Sequence, residues 1–127
     1  MKLSYQGIQD KAAFEAAGIV LPKYDWKQMC AETEKTPVWV HFGAGNIFRG
    51  FIAVLQQRLL DEGLATSGIV AAETFDYDII NKIYDPFDSM TMMVSLKPDG
   101  STDKEVIASI AKGIRADSST AAEWAAL

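Results

Sequence analysis

The feature that most constrains this chain is a change of character at Pro37. Beyond it, Val38-Trp39-Val40-His41-Phe42 is a run of β-formers, apolar apart from His41. A continuous run of this length suits a strand buried on both faces, as in a parallel sheet. Gly43-Ala44-Gly45-Asn46 breaks it. Phe48, Phe51, Ile52, Leu55 and Leu59 then recur at spacings of three and four, an apolar helical stripe. Asp61-Glu62-Gly63 closes that helix, with the glycine placed for a left-handed cap. Gly68 to Ala72 reads as a second strand, small and apolar, ending at Glu73. The sum is a βαβ unit, and with it an α/β fold class built on a parallel sheet.

The flanking segments decorate this unit. Residues 1–36 hold two short helical patterns, Asp10 to Ala17 stopped by Gly18, and Asp25 to about Glu34 after Pro22. They carry no recognisable chemistry and read as a lead-in that caps the domain of residues 37–127. A third helix is expected from about Tyr77 to Tyr84. Met90 to Leu96 looks like a strand, Lys97-Pro98-Asp99-Gly100 a turn, and Glu105 to Ile110 the partner strand. That is an inserted antiparallel hairpin, which a plain doubly wound sheet does not need. Ser118-Ser119-Thr120 forms an N-cap cluster for a helix over Ala121 to Leu127. No cap follows it, so we expect a truncated domain cut from a longer protein.

Composition narrows the function classes. The 127 residues suffice for one domain with a real core, and 49% of them are hydrophobic. A net charge of −5, with no Lys/Arg cluster, argues against nucleic acid as a partner. Cys30 and His41 are each the sole residue of their type, which speaks against a disulfide or a His/Cys metal site. The longest apolar runs fall well short of a membrane span, and Met1 to Gln6 does not lead into an apolar stretch. A cytoplasmic setting follows as the expectation.

The glycine loop carries the chemical argument. A dinucleotide pyrophosphate is held by backbone N–H groups at the start of a helix, aided by the helix dipole. Gly43 would supply the sharp strand-to-helix turn, and Gly45 a position without a side chain where backbone can approach phosphate. Asn46 could cap the helix and donate to a phosphate oxygen. The third glycine of the usual fingerprint is absent, since position 48 is Phe and the next glycine is Gly50. Arg49, a cation in the first turn, opposes the dipole by roughly 0.3–1 kcal/mol. Either a ligand anion or an internal carboxylate such as Glu73 would relieve that. Glu73 at the end of the second strand is placed to accept from ribose hydroxyls and favour NAD over NADP, with Asp76 and Asp78 as competitors. His41 reads as a hydrogen-bonded structural histidine. No nucleophile–base pair, HExxH or phosphate-loop pattern is present in the sequence.

The segment His41-Phe42-Gly43-Ala44-Gly45-Asn46-Ile47-Phe48-Arg49-Gly50-Phe51-Ile52 resembles the opening motif of the mannitol dehydrogenase family, long-chain polyol and uronate oxidoreductases. The hairpin and Glu105-Val106-Ile107-Ala108-Ser109-Ile110 resemble that family's strand pair, so the likeness covers about residues 37–127. It implies a Rossmann-like dinucleotide-binding domain and an NAD cofactor, NADP being second choice. It also implies metal-independent interconversion of a sugar ketone, such as fructuronate, tagaturonate or fructose, with a polyol or aldonate. Cofactor contacts are then expected at Gly43, Ala44, Gly45, Asn46, Ile47 and Arg49, with Glu73 and Asp76 near the adenosine ribose. The family's catalytic residues lie in a C-terminal domain without counterpart here, so none is assigned. Two other readings are a stand-alone nucleotide-binding or interaction module, and an S-adenosylmethionine-dependent methyltransferase. The lack of an acidic residue just before Gly43 counts against the second.

Overall fold

The computed structural model describes residues 1–125 and 127. Among the described residues there are two three-stranded sheets. The first is parallel and carries the glycine loop. Its strands are β2 (Val40–Phe42), β3 (Ile69–Glu73) and β6 (Ile110–Arg115), in the order β2-β3-β6. The second has the order β1-β5-β4, with β1 (Ile19–Val20), β4 (Thr91–Leu96) and β5 (Thr102–Ile107). The α/β class and the hairpin are both present, the hairpin pairing Thr91 with Ile107 through to Leu96 with Thr102.

Local chemistry explains most boundaries. Helix α1 (Lys11–Ala16) starts at Asp10, whose carboxylate accepts from the Ala13 N–H at 3.2 Å. Helix α2 (Trp26–Lys35) starts at Asp25 in the same way, through the Gln28 N–H at 2.9 Å. Lead-in residues Ile8, Phe14 and Ile19 pack with Met90, Val106 and Ala108, and β1 pairs in parallel with β5. Residues 1–36 therefore complete the hairpin sheet.

Three expectations need correction. The run Val38 to Phe42 is not buried on both faces. Only Val40–Phe42 is strand, and it lies at the sheet edge with Val38 72% and Phe42 70% exposed. The strand buried throughout is β3, which has a neighbour on each side. The partner strand expected over Glu105 to Ile110 is in fact two strands in different sheets. The chain leaves the hairpin after Ile107, gives the Ala108 N–H to Gln57 Oε1 (2.7 Å) and the Ser109 hydroxyl to the Ala53 carbonyl, and starts β6 at Ile110.

The third correction concerns the helix after the glycine loop. It runs over residues 46–61 and opens with a π turn, Phe48–Ile52, before α3 (Ala53–Asp61). The Ala53 N–H reaches back five residues to the Phe48 carbonyl. A wider turn advances the inward face by five residues instead of four. Phe48 and Ala53 are both buried, followed by Gln56, Gln57 and Leu60. Ile47, Phe51, Leu55 and Leu59 form an outward row instead. The two buried glutamines are satisfied: Gln57 bonds the Val106 carbonyl at 2.7 Å, and Gln56 the Ser67 carbonyl at 2.7 Å.

At the last helix, α4 (Ala121–Trp124) follows the capping box of Asp117 and Thr120. The expected continuation through position 126 lies outside the described residues. Among the described residues no helix is long and apolar enough to cross a membrane.

Candidate functional site

The carboxyl ends of β2 and β3 lie side by side, with Phe42 paired to Ala72 and Gly43 donating its N–H to the Ala72 carbonyl at 2.8 Å. The chain then turns at Gly43, whose φ of +101° disfavours any residue with a side chain. A Cβ at Gly43 or Gly45 would meet no atom within 4 Å, so both positions face open space. The N–H groups of Gly45, Asn46 and Ile47 open the helix and, as first-turn donors, have no intrahelical acceptor. Beside them is a hollow of about 350 Å³ lined by His41, Gly43, Gly45, Asn46, Ile47, Phe48 and Ile52. This is the geometry of an anion-accepting helix start with room for backbone-to-ligand approach. It fits a dinucleotide pyrophosphate.

The loop is held from three directions. The His41 ring stacks on Phe48 with centroids 4.1 Å apart, and its Nδ1 lies 2.9 Å from the Gly43 carbonyl. This is the structural role expected of it. The buried Tyr84 hydroxyl donates to the Ala44 carbonyl at 3.0 Å, and its burial pushes the phenol pKa upward. Glu73 supplies the third hold. It is only 8% exposed, and its Oε2 accepts from the Ala44 N–H at 3.1 Å. Its Oε1 accepts from the N–H groups of Thr74 (3.0 Å), Phe75 (2.9 Å) and Asp76 (3.3 Å). Burial pushes its pKa up, but the bonds from Phe75, Ala44, Asp76 and Thr74 outweigh it and hold the carboxyl below its ordinary value.

Arg49 is not ion-paired with Glu73 among the described residues. Its guanidinium donates to Asn46 Oδ1 and, at 3.4 Å, to the Thr91 hydroxyl on β4, while its Nε is buried without a partner. With Oδ1 engaged, the Asn46 amide has its Nδ2 donors left for a ligand. Arg49 thus ties the helix start to the hairpin. The structure brings together Gly43, Ala44, Gly45, Asn46, Ile47, Arg49 and Glu73, with Asp76 exposed just beyond Glu73. Tyr84 and Thr91 escaped the sequence reading. Their partners lie 40 and 42 positions away, and no local pattern reports such contacts.

No family model matches the chain. A D-mannonate oxidoreductase of Thermotoga maritima is 44% identical over 119 residues, 94% of this chain. The chain is similar to the mannitol dehydrogenase family. It spans 22% of the length of that relative. Mannitol 2-dehydrogenase of Pseudomonas fluorescens, solved as a ternary complex with NAD and D-mannitol, superimposes with a TM-score of 0.72 at 20% identity. That match covers 91% of this chain and 22% of the dehydrogenase. A substrate-free D-sorbitol dehydrogenase gives a TM-score of 0.64 at 23% identity, over 78% of this chain and 20% of its own. At these identities the two structures bear on the fold alone, and the family likeness rests on the 44% relative. The Rossmann-like arrangement is therefore shared with the solved mannitol 2-dehydrogenase.

Proposed function

We propose that this chain is the dinucleotide-binding part of an NAD-dependent oxidoreductase of the mannitol dehydrogenase type, which interconverts a sugar ketone or keto acid with its alcohol. The carrying observation is the open glycine turn at the carboxyl edge of a parallel sheet, set on a helix start with free N–H groups. Similarity to a D-mannonate oxidoreductase supports a sugar-acid substrate such as fructuronate, with tagaturonate and fructose as close alternatives. Residues 37–127 hold the cofactor, and residues 1–36 are a lead-in packed on the hairpin. We place the enzyme in the cytoplasm.

In this reading the N–H groups of Gly45, Asn46 and Ile47 receive the pyrophosphate, and Asn46 Nδ2 adds a side-chain donor. Gly43 and Ala44 shape the approach, Arg49 adds positive charge at the same end, and Glu73 and Asp76 lie on the adenosine side. The nicotinamide, when bound, gives or takes a hydride. Catalytic groups for the accompanying proton are not assigned to these 127 residues, and the chain by itself is expected to be inactive.

The test is Gly45→Val in the enzyme that carries this chain. Nothing lies within 4 Å of an added Cβ, so the fold is expected to hold, checked by an unchanged melting curve, while the side chain occupies the phosphate approach. Calorimetry should show NADH affinity reduced at least about 100-fold, the scale of displacing several charge-assisted bonds. Unchanged affinity would refute this placement. Wild-type enzyme should oxidise NADH with fructuronate, tagaturonate or fructose; no turnover with any of them, using NADH or NADPH, would refute the activity.

A further inference from the structure

We propose that Thr91, on the hairpin, is a positioning residue for the glycine loop: through Arg49 it turns the Asn46 amide so that Nδ2, not Oδ1, meets the ligand. The inference rests on the dinucleotide-binding reading and extends it to the inserted hairpin, which a plain doubly wound sheet lacks.

Two hollows flank the helix start. One, at the glycine turn, is the place given above to the pyrophosphate. The other, of about 360 Å³, lies between the helix start and β4, with Arg49, Gly50 and Thr91 in its wall. Asn46 lines both hollows, whereas Arg49 lines only the second. Arg49 is thus placed to act on the pyrophosphate position through Asn46. A guanidinium has donors and no acceptor, so the Asn46 atom that meets Arg49 Nη2 is Oδ1. Released from that contact, the amide is free to turn and present its oxygen to a phosphate, two acceptors facing each other.

The orientation of the guanidinium therefore matters. Among the described residues no carboxylate pairs with Arg49, and its Nε is buried without a partner. Its second side-chain acceptor is Thr91 Oγ1, 3.4 Å from Nη1, which is long for a hydrogen bond and sets a modest scale for the effect. The start of β4 is itself fixed at some cost. Asp88 and Ser89 have φ of +50° and +58°, a region that residues with side chains seldom adopt. Asp88 Oδ2 accepts from the Tyr5 N–H at 2.8 Å, and the Ser89 N–H donates to the Tyr84 carbonyl at 2.9 Å. A strained turn held from two sides, just before Thr91, fits a strand whose first residue has a partner to meet.

Calorimetric titration of the full enzyme with NADH tests the relay. Thr91→Val keeps the shape and removes the hydroxyl, and should weaken NADH about three- to ten-fold, the scale of one hydrogen bond. Thr91→Ser should restore wild-type affinity. In an Arg49→Met background Thr91→Val should have no further effect, because the relay is already cut. Unchanged affinity in Thr91→Val, no rescue by serine, or an equal loss in both backgrounds would overturn the proposal. Should Thr91→Val fail to fold, nitrogen NMR of the ligand-free wild type decides: rotation of the Arg49 guanidinium should be hindered, and free rotation overturns the relay. Wild-type enzyme that binds neither NADH nor NADPH overturns the dinucleotide reading itself, an outcome distinct from the others.

Discussion

In the parallel sheet β3 is buried from Ile69 to Glu73, whereas in the hairpin sheet β4 is covered only in part and leaves Val94 46% and Leu96 82% exposed. The two regions also differ in what holds them. The tip of the hairpin is closed by its own turn, where the Gly100 N–H donates to the Lys97 carbonyl and the Lys97 N–H to the Ser101 carbonyl. The parallel sheet depends on residues far apart in sequence. Gly68 donates to the Thr33 hydroxyl, Ala108 on the way into β6 donates to Gln57, and Glu73 reaches Ala44. Local order is robust to single changes; order assembled from distant contacts is not. The candidate site belongs to the second kind.

One substitution made in both regions tests this contrast. At Gly68 an added Cβ would lie 2.4 Å from the Ser109 carbonyl oxygen and 2.5 Å from Met29 Sδ, and the carbonyl is fixed backbone. Gly68→Ala is expected to cost about 2–3 kcal/mol in urea denaturation. At Gly100 nothing lies within 4 Å and only the φ of +84° resists a side chain, so Gly100→Ala should cost about 1 kcal/mol. Equal costs would break the comparison.

An effect smaller than that of Gly68→Ala is expected at the loop's own anchor. Tyr84→Phe removes the bond to the Ala44 carbonyl without leaving a cavity, at about 1–2 kcal/mol. The loss should also appear as faster amide exchange around residues 43–45; an unchanged melting curve would show that Tyr84 is only packing there.

The finest contrast lies in pH dependence. Glu73 is held below its ordinary value of 4.5, so its folded form binds the proton less readily than its unfolded form. Its contribution to stability is complete above about pH 4.5 and is lost as pH falls through the lowered value. Glu73→Gln should therefore lose less stability than wild type between pH 6 and pH 3, read from denaturation midpoints. Parallel pH profiles would show the carboxylate to be unlinked.

Local chemistry made much of this molecule legible in advance. Asp10 and Asp25 mark helix starts by their own side chains, Gly43-Ala44-Gly45-Asn46 marks the turn, and Pro98-Asp99-Gly100 marks the hairpin. The stripe Phe48-Phe51-Ile52-Leu55-Leu59 misled because a period of 3.6 assumes a uniform helix, and a single π turn moves every later residue to another face. The edge position of Val40–Phe42 was hidden because composition reports apolarity, not the number of neighbouring strands. Strand β6 escaped because Ile110-Ala111-Lys112-Gly113-Ile114-Arg115 lacks clean alternation, and Gly113 is there to admit Ile80 and Tyr84. At the site, the loop residues were readable from type and order. The holds on them from Tyr84, Thr91 and Glu73 depend on tertiary proximity.

The outward row of Ile47, Phe51, Leu55 and Leu59 also shapes how this polypeptide behaves in solution. Spaced four apart along one helix, these side chains make an oily ridge about 18 Å long. The net charge of −5 keeps molecules apart only while their fields overlap. Added salt shortens the Debye length from about 30 Å at 0.01 M to about 10 Å at 0.1 M. Light scattering from the polypeptide should accordingly rise with salt, and Phe51→Glu should abolish the rise; scattering indifferent to salt would show the ridge to be inert.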